Sequence, residues 1–356
     1  MLDFDTRYRR WLRHFEAHRL DGFLVTHPPN LTYLFNFMGS AGLACCLSEE
    51  SYLIVDSRYI EQASCQCINC HPMLAEKSLE GTLRAFLRSR DRLNGHKTRI
   101  GIEAKHVSCD FMLRIQSWET QIEWIPTRDL IEELRMIKDN GEIQIIEQAF
   151  QIAQHAYGRL VGKIRSGMRE IEVAGILEFE LRKAGSEGPS FETIVASGPR
   201  SSLPHGSATA KRIESDELVL IDFGVKYHGY CSDLTRIYLL SNAKRPEIYQ
   251  VVEEAQNKAL SLIKPGVLSS EINAAARKVI ADQGYGDYFG HSTGHGLGLE
   301  VHELPSISAH RPRQIREGMV FTVEPGIYLP GQYGVRVEDT VLVTENGYRL
   351  LSDRDT

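Results

Sequence analysis

Five side chains able to bind metal occur in the second half of the chain, in the order Asp222, Asp233, His295, Glu324 and Glu338. Each stands where an apolar run ends or a glycine-rich turn begins. Asp222 closes the run Leu218-Val219-Leu220-Ile221, and Asp233 opens Leu234-Thr235-Arg236-Ile237-Tyr238. Lys226-Tyr227-His228-Gly229-Tyr230 between them reads as a turn, so this stretch predicts a β-hairpin with both carboxylates on one face. His295 lies in Gly294-His295-Gly296-Leu297-Gly298, where glycines allow close backbone approach. Glu324 follows Val320-Phe321-Thr322-Val323 and precedes the turn signal Pro325-Gly326. Glu338 lies in the run 334–343, whose alternation puts Arg336 on the same strand face. Buried carboxylates that repel one another are costly unless a cation sits among them.

Charge arithmetic extends this reading. Four carboxylates carry four negative charges, which two divalent ions neutralise, with a bridging water or hydroxide completing the cluster. Oxygen-rich donors with a single imidazole suit Mn²⁺ better than a thiolate-seeking metal, with Co²⁺, Fe²⁺ or Zn²⁺ as substitutes. Two such ions polarise a carbonyl and activate water at neutral pH.

The motifs Ile221-Asp222-Phe223-Gly224, Ser232-Asp233-Leu234-Thr235-Arg236, Gly294-His295-Gly296-Leu297-Gly298, Val323-Glu324-Pro325-Gly326 and Val337-Glu338-Asp339 resemble, in order and spacing, those of the M24 "pita-bread" metallopeptidases. The resemblance is to the Xaa-Pro branch, aminopeptidase P and prolidase. It implies an α+β architecture: a pita-bread catalytic domain over 132–356, preceded by a smaller creatinase-type α/β domain over 1–131. It implies that Asp222 is bidentate on one ion, that Asp233 and Glu338 bridge, and that His295 and Glu324 complete the second site. Three histidines flank this set, His205 in a Pro-His-Gly loop, His291 before His295, and His302 after it. An imidazole titrates in the range that protonating a leaving amine requires, and a donor must stabilise the tetrahedral intermediate. By resemblance His205 and His302 line the substrate, His291 marks the Xaa-Pro branch, Glu324 doubles as acid–base, and Arg336 fixes cluster carboxylates.

The expected reaction is hydrolysis, by metal-activated water, of the bond between residue one and a proline at position two. That imide nitrogen lacks an N–H and lies in a rigid ring, so it calls for a dedicated apolar pocket. Prolidase-like relatives can carry an arginine after their His-Glu-x-Pro segment. Here His302-Glu303-Leu304-Pro305 is followed by Ser306, so the sequence leans to aminopeptidase P-like action, with a dipeptide-restricted prolidase as the alternative. A non-catalytic binding protein on the same fold is the remote alternative, disfavoured by the intact ligand set.

Composition supplies exclusions. The 356 residues carry a net charge of −6, which argues against a nucleic-acid partner. No apolar stretch approaches the ~18 residues of a membrane span, and the first ten residues lack a signal-peptide core. The expectation is a cytoplasmic protein, with a homodimer implied by the resemblance. Cys65, Cys67, Cys70 and His71 form a candidate zinc cluster, but no second cysteine pair follows at zinc-ribbon spacing, and packed free thiols are the simpler reading. The first half alternates strand and helix patterns to about residue 130, as a small α/β domain should.

Overall fold

The computed structural model describes residues 2–47, 50–90, 97–118 and 121–352. The chain forms two units, Met1–Arg135 and Met136–Thr356.

The first unit runs α1 (Phe4–His18), β1 (Gly22–Val25), α2 (Pro28–Phe35), β2 (Leu43–Leu47), β3 (Ser51–Val55), α3 (Ile60–Gln66), β4 (His71–Leu74), α4 (Leu79–Arg90), β5 (Thr98–Glu103), α5 (Cys109–Gln116), β6 (Ile122–Thr127) and α6 (Leu130–Arg135). Its sheet has the order β4-β3-β2-β1-β5-β6. The β1–β2 and β2–β3 pairs are antiparallel, and the helix-connected outer pairs are parallel. Two elements depart from the sequence pattern. Strand β4 follows the cysteine run and is half-exposed, so it lacks an apolar signature. Helix α6 fills part of the segment that bridges the two strand–helix patterns. All seven cysteines are free, and among the described residues Cys65, Cys67, Cys70 and His71 do not converge as metal ligands.

Two acids of this unit, Glu103 and Glu132, find partners within it. Glu103 accepts from the Thr26 and His27 amides, the Thr26 hydroxyl and the Asn30 side chain. Glu132 accepts from Asn30 at 2.8 Å and lies 3.1 Å from His106 Nε2.

The second unit opens with α7 (Asn140–Val161), capped by Asp139 and Glu142 in a reciprocal capping box. Then come α8 (Glu170–Lys183), β7 (Gly188–Pro189), β8 (Ile194–Ser197), β9 (Leu218–Phe223), β10 (Val225–Tyr227), β11 (Tyr230–Cys231), β12 (Leu234–Leu239), α9 (Glu247–Leu260) and α10 (Ser269–Asp282). The remainder is β13 (Gly294–Gly296), β14 (Glu303–Ile307), β15 (Val320–Val323), β16 (Gly326–Leu329), β17 (Tyr333–Arg336), β18 (Asp339–Thr344) and β19 (Gly347–Leu350). Two sheets, β12-β9-β8 and β14-β13-β15-β18-β19, carry most of the strands. Ile248, Val252, Ala255 and Ala259 of α9 pack with Ile272, Ala276 and Ile280 of α10 in a core shared with Phe321, Val323, Val335 and Val341. Burying each large side chain contributes roughly 1.5–3 kcal/mol, enough to fix the strand ends that hold the polar residues.

Candidate metal centre and catalytic cavity

The hairpin expected around Asp222 and Asp233 forms, its ladder broken only at Gly224 and Ser232-Asp233. β9 pairs β12 antiparallel with Phe223 opposite Leu234 and Asp222 opposite Thr235, not Asp233. The inner pair β10–β11 continues that register, Lys226 opposite Cys231, and turns at His228 and Gly229, both at positive φ. The crossing is tight. A Cβ on Gly224 would lie 2.0 Å from the Ser232 carbonyl oxygen, so only glycine fits beside the strand that delivers Asp233.

A correction concerns Arg336 and Glu338. They do not share one strand, because the chain changes sheets between them: β17 ends at Arg336 and pairs β16, whereas β18 begins at Asp339 and pairs β15. Glu338 therefore occupies the crossover. Glu324 occupies the matching place after β15. Gln256 of α9 ties the two together. Its amide donates to the Val323 carbonyl at 3.0 Å and the Val337 carbonyl at 3.3 Å, each one residue before a carboxylate.

One cavity of about 380 Å³ is lined by Asp222, Asp233, His295, Glu324, Glu338, His205, His291, His302 and Arg336, together with Phe191, Ile194 and Val301. Ligand atoms of Asp233, His295 and Glu338 lie within 4.8 Å of one another. His295 Nε2 is 3.5 Å from Asp233 Oδ2 and 3.1 Å from Glu324 Oε1. The Arg336 guanidinium donates to Asp222 Oδ2 at 2.5 Å, to the Thr235 hydroxyl at 3.0 Å and to the Tyr328 hydroxyl at 2.8 Å. Thr235 in turn donates to Glu338 Oε2 at 2.7 Å. His291 Nε2 meets the same Tyr328 hydroxyl at 2.9 Å. The His302 ring stands edge-on to His295, centroids 4.2 Å apart. Sequence reasoning missed Tyr328, Thr235 and Gln256. Their roles come from contacts spanning up to a hundred residues, which no local motif announces.

Electrostatics point to a cation. Burial, reinforced by Glu338, Asp222 and Glu324, holds the Asp233 carboxyl well above its ordinary range. Burial and the neighbouring Glu324 and Asp222 push Glu338 up to about 8. Burial also raises Asp222, against the opposing pull of Arg336. Burial opposes charge on Glu324 and His295 as well, but their mutual hydrogen bond and attraction outweigh it, lowering Glu324 to about 2 and raising His295 to about 9. Burial lowers His291 and His302. Asp222 Oδ1 and Glu338 Oε1 are buried with no hydrogen-bond partner, while their sister oxygens are engaged. Unpartnered buried carboxylate oxygens beside an imidazole edge are the donor set a hard or borderline divalent ion takes.

The model of metallopeptidase family M24 matches residues 144–345, and that of the creatinase/prolidase N-terminal domain matches 7–137. The chain belongs to family M24. Its two units are the creatinase-type N-terminal domain and the pita-bread catalytic domain of that family, and it is a metallo-exopeptidase of the Xaa-Pro group. An Xaa-Pro dipeptidase of Pyrococcus horikoshii is 38% identical over 348 residues, covering 97% of this chain and 96% of its own. The structure of an Xaa-Pro dipeptidase from Bacillus anthracis superposes with a TM-score of 0.91 at 38% identity, covering 99% of this chain and 98% of the other. That of an X-Pro aminopeptidase from Thermotoga maritima gives 0.86 at 37%, covering 96% and 97%.

Proposed function

We propose that this M24 member is an Xaa-Pro dipeptidase holding two divalent ions, Mn²⁺ foremost, on Asp222, Asp233, His295, Glu324 and Glu338. The observation that carries the reading is the cavity itself, where four carboxylates and one imidazole converge beside an apolar wall of Phe191, Ile194 and Val301. The near-full-length likeness to proteins named Xaa-Pro dipeptidases favours the dipeptide form over the aminopeptidase P-like form to which Ser306 points. Ser306 lies on β14 opposite His295 and donates to Ser308.

When bound, the ions acidify a solvent water and polarise the scissile carbonyl. The chain's own groups do the rest. Glu324, also within 3.2 Å of the Thr322 hydroxyl, takes and returns the proton. His205 and His302 donate to the oxygen on which negative charge develops. His291, held against Tyr328, faces the imide side. Arg336 stays locked to Asp222 and orients that carboxylate. The Phe191, Ile194 and Val301 wall accepts the pyrrolidine ring. A homodimer and a cytoplasmic location belong to the same reading, tested by light scattering and by cell fractionation.

The deciding experiment gives the Mn²⁺-loaded protein matched Xaa-Pro, Xaa-Pro-Yaa and Xaa-Ala substrates. Xaa-Pro should be cleaved at least about tenfold faster than either control. Equal cleavage of Xaa-Pro-Yaa would restore aminopeptidase P-like action. Equal cleavage of Xaa-Ala would remove the proline pocket.

A further inference from the structure

We infer that Glu170 is a positioning residue for His205. The inference rests on the reading that His205 contacts substrate, and it assigns the loop's order to a carboxylate outside the cavity.

His205 is exposed, on a segment with no regular structure beyond a 3₁₀ turn at Gly198–Ser202. Such a segment is ordered only by what grips its ends. Glu170, the first residue of α8, is completely buried. Its Oε1 accepts from the Ser197 amide at 2.8 Å and the Ser197 hydroxyl at 2.9 Å, where the segment begins. Its Oε2 accepts from the Thr209 hydroxyl at 2.7 Å and the Thr209 amide at 3.2 Å, where the segment ends. Oε2 also accepts from Arg200 Nε at 2.9 Å. Arg200 Nη2 reaches across to the Ser207 carbonyl at 2.6 Å, two residues past His205. One carboxylate thus gathers the entry, the exit and a strut between them.

The far side is fixed from the metal cluster. Arg336 donates to the Pro204 carbonyl at 3.1 Å, next to His205. His205 is therefore held between a charge that orients Asp222 and a charge that closes its own loop. A buried carboxylate outside the cluster is tolerable because five donors match its two oxygens. An amide cannot replace it. Glutamine presents N–H groups on one side, so either the Ser197 pair or the Arg200 and Thr209 donors would face another donor.

The test is E170Q, alone and with H205A. Amide hydrogen exchange followed by mass spectrometry should rise in peptides covering 198–208 and stay unchanged over 218–223 and 320–324, with Mn²⁺ content at the wild-type level. On an Xaa-Pro dipeptide, kcat should fall roughly 10- to 100-fold with KM within about threefold. The E170Q/H205A double variant should be no slower than H205A by more than about twofold, since the second change has nothing left to misplace. Unchanged kcat, multiplicative losses in the double variant, or uniformly raised exchange would each overturn the inference. If E170Q does not fold, S197A and T209V each remove one donor and should give smaller losses that vanish when H205A is present. Losses that persist there overturn it equally. If the wild-type enzyme ignores Xaa-Pro while E170Q still frees only 198–208, the substrate reading fails and the clamp stands.

Discussion

Arg336 shows how one residue outside the candidate ligand set can reach one of its members and several neighbours. Its guanidinium is nearly fully buried and serves Asp222, Thr235, Tyr328 and the Pro204 carbonyl at once. The planar fork makes this possible, and lysine, a single point donor, cannot span the same partners. Arg336→Lys should therefore lower Mn²⁺ affinity by roughly 10- to 100-fold, with the fold intact by circular dichroism. Wild-type affinity, read by calorimetric titration, would show that Asp222 needs no orientation. A second prediction follows from the proton load of the cluster. Glu338 is raised to about 8 and His295 to about 9 in the folded chain, so the fold binds their protons more tightly than the unfolded chain does. The stability this contributes is fully present below the unfolded values, near 4.5 and 6.5, and is lost as pH rises through about 8 and 9. Glu324, lowered to about 2, works in the opposite sense, and its contribution is lost only when pH falls through that value. Chelator-treated protein should thus lose melting temperature from about pH 5 to pH 9. Mn²⁺-loaded protein, in which cations replace those protons, should show a flatter profile, and loading at about pH 7 should release protons. Parallel profiles would disconnect these groups from the metal.

At the scale of elements, the site depends on two crossings. One is the Gly224 passage between β9 and the inner hairpin, where a methyl group would collide with backbone that cannot yield. Gly224→Ala should destabilise the catalytic unit by about 1–3 kcal/mol, as forced backbone shifts do, and reduce bound metal in step. A normal melting temperature with full metal content would show that Ser232 moves freely. The other crossing is the sheet change at Val337-Glu338, and together they divide what is legible in the sequence from what is not. Helices α4, α7, α8, α9 and α10 are readable because apolar periodicity and capping are local signals. The five ligand candidates are readable because each punctuates an apolar run. The pairing of Asp222 with Thr235 is not, since the apolar pattern of the two strands stays the same wherever in 226–230 the turn centres, while the cross-strand partners depend on it. The sheet change is hidden for the same reason, because alternation continues straight through it. Glu170 looks like an ordinary first-turn acid of a helix. Its partners lie 27 to 39 residues away and become visible only in three dimensions.

The whole chain divides its charge burden unevenly, and this predicts how it should melt. In Met1–Arg135 the buried acids are served from within. Glu103 has four donors, and Glu132 is lowered to about 2 because its hydrogen bonds from His106 and Asn30 outweigh burial. Among the described residues of this unit no group of metal ligands converges. In Met136–Thr356 the buried oxygens Asp222 Oδ1 and Glu338 Oε1 of the cavity have no hydrogen-bond partner, and the five ligand candidates, the three flanking histidines and Arg336 all lie in that unit. An ion that binds only the folded state stabilises it by about 2.7 kcal/mol at a hundredfold excess over Kd. Differential scanning calorimetry should therefore resolve a transition that rises with Mn²⁺ and falls with chelator, beside one indifferent to both. D233N should abolish the movement of the first transition and leave the second untouched, because it deletes a candidate ligand from one unit, while among the described residues of the other no ligand group converges. Were both transitions to shift together with Mn²⁺ in the wild type and in D233N alike, the ion would be acting somewhere other than this cavity.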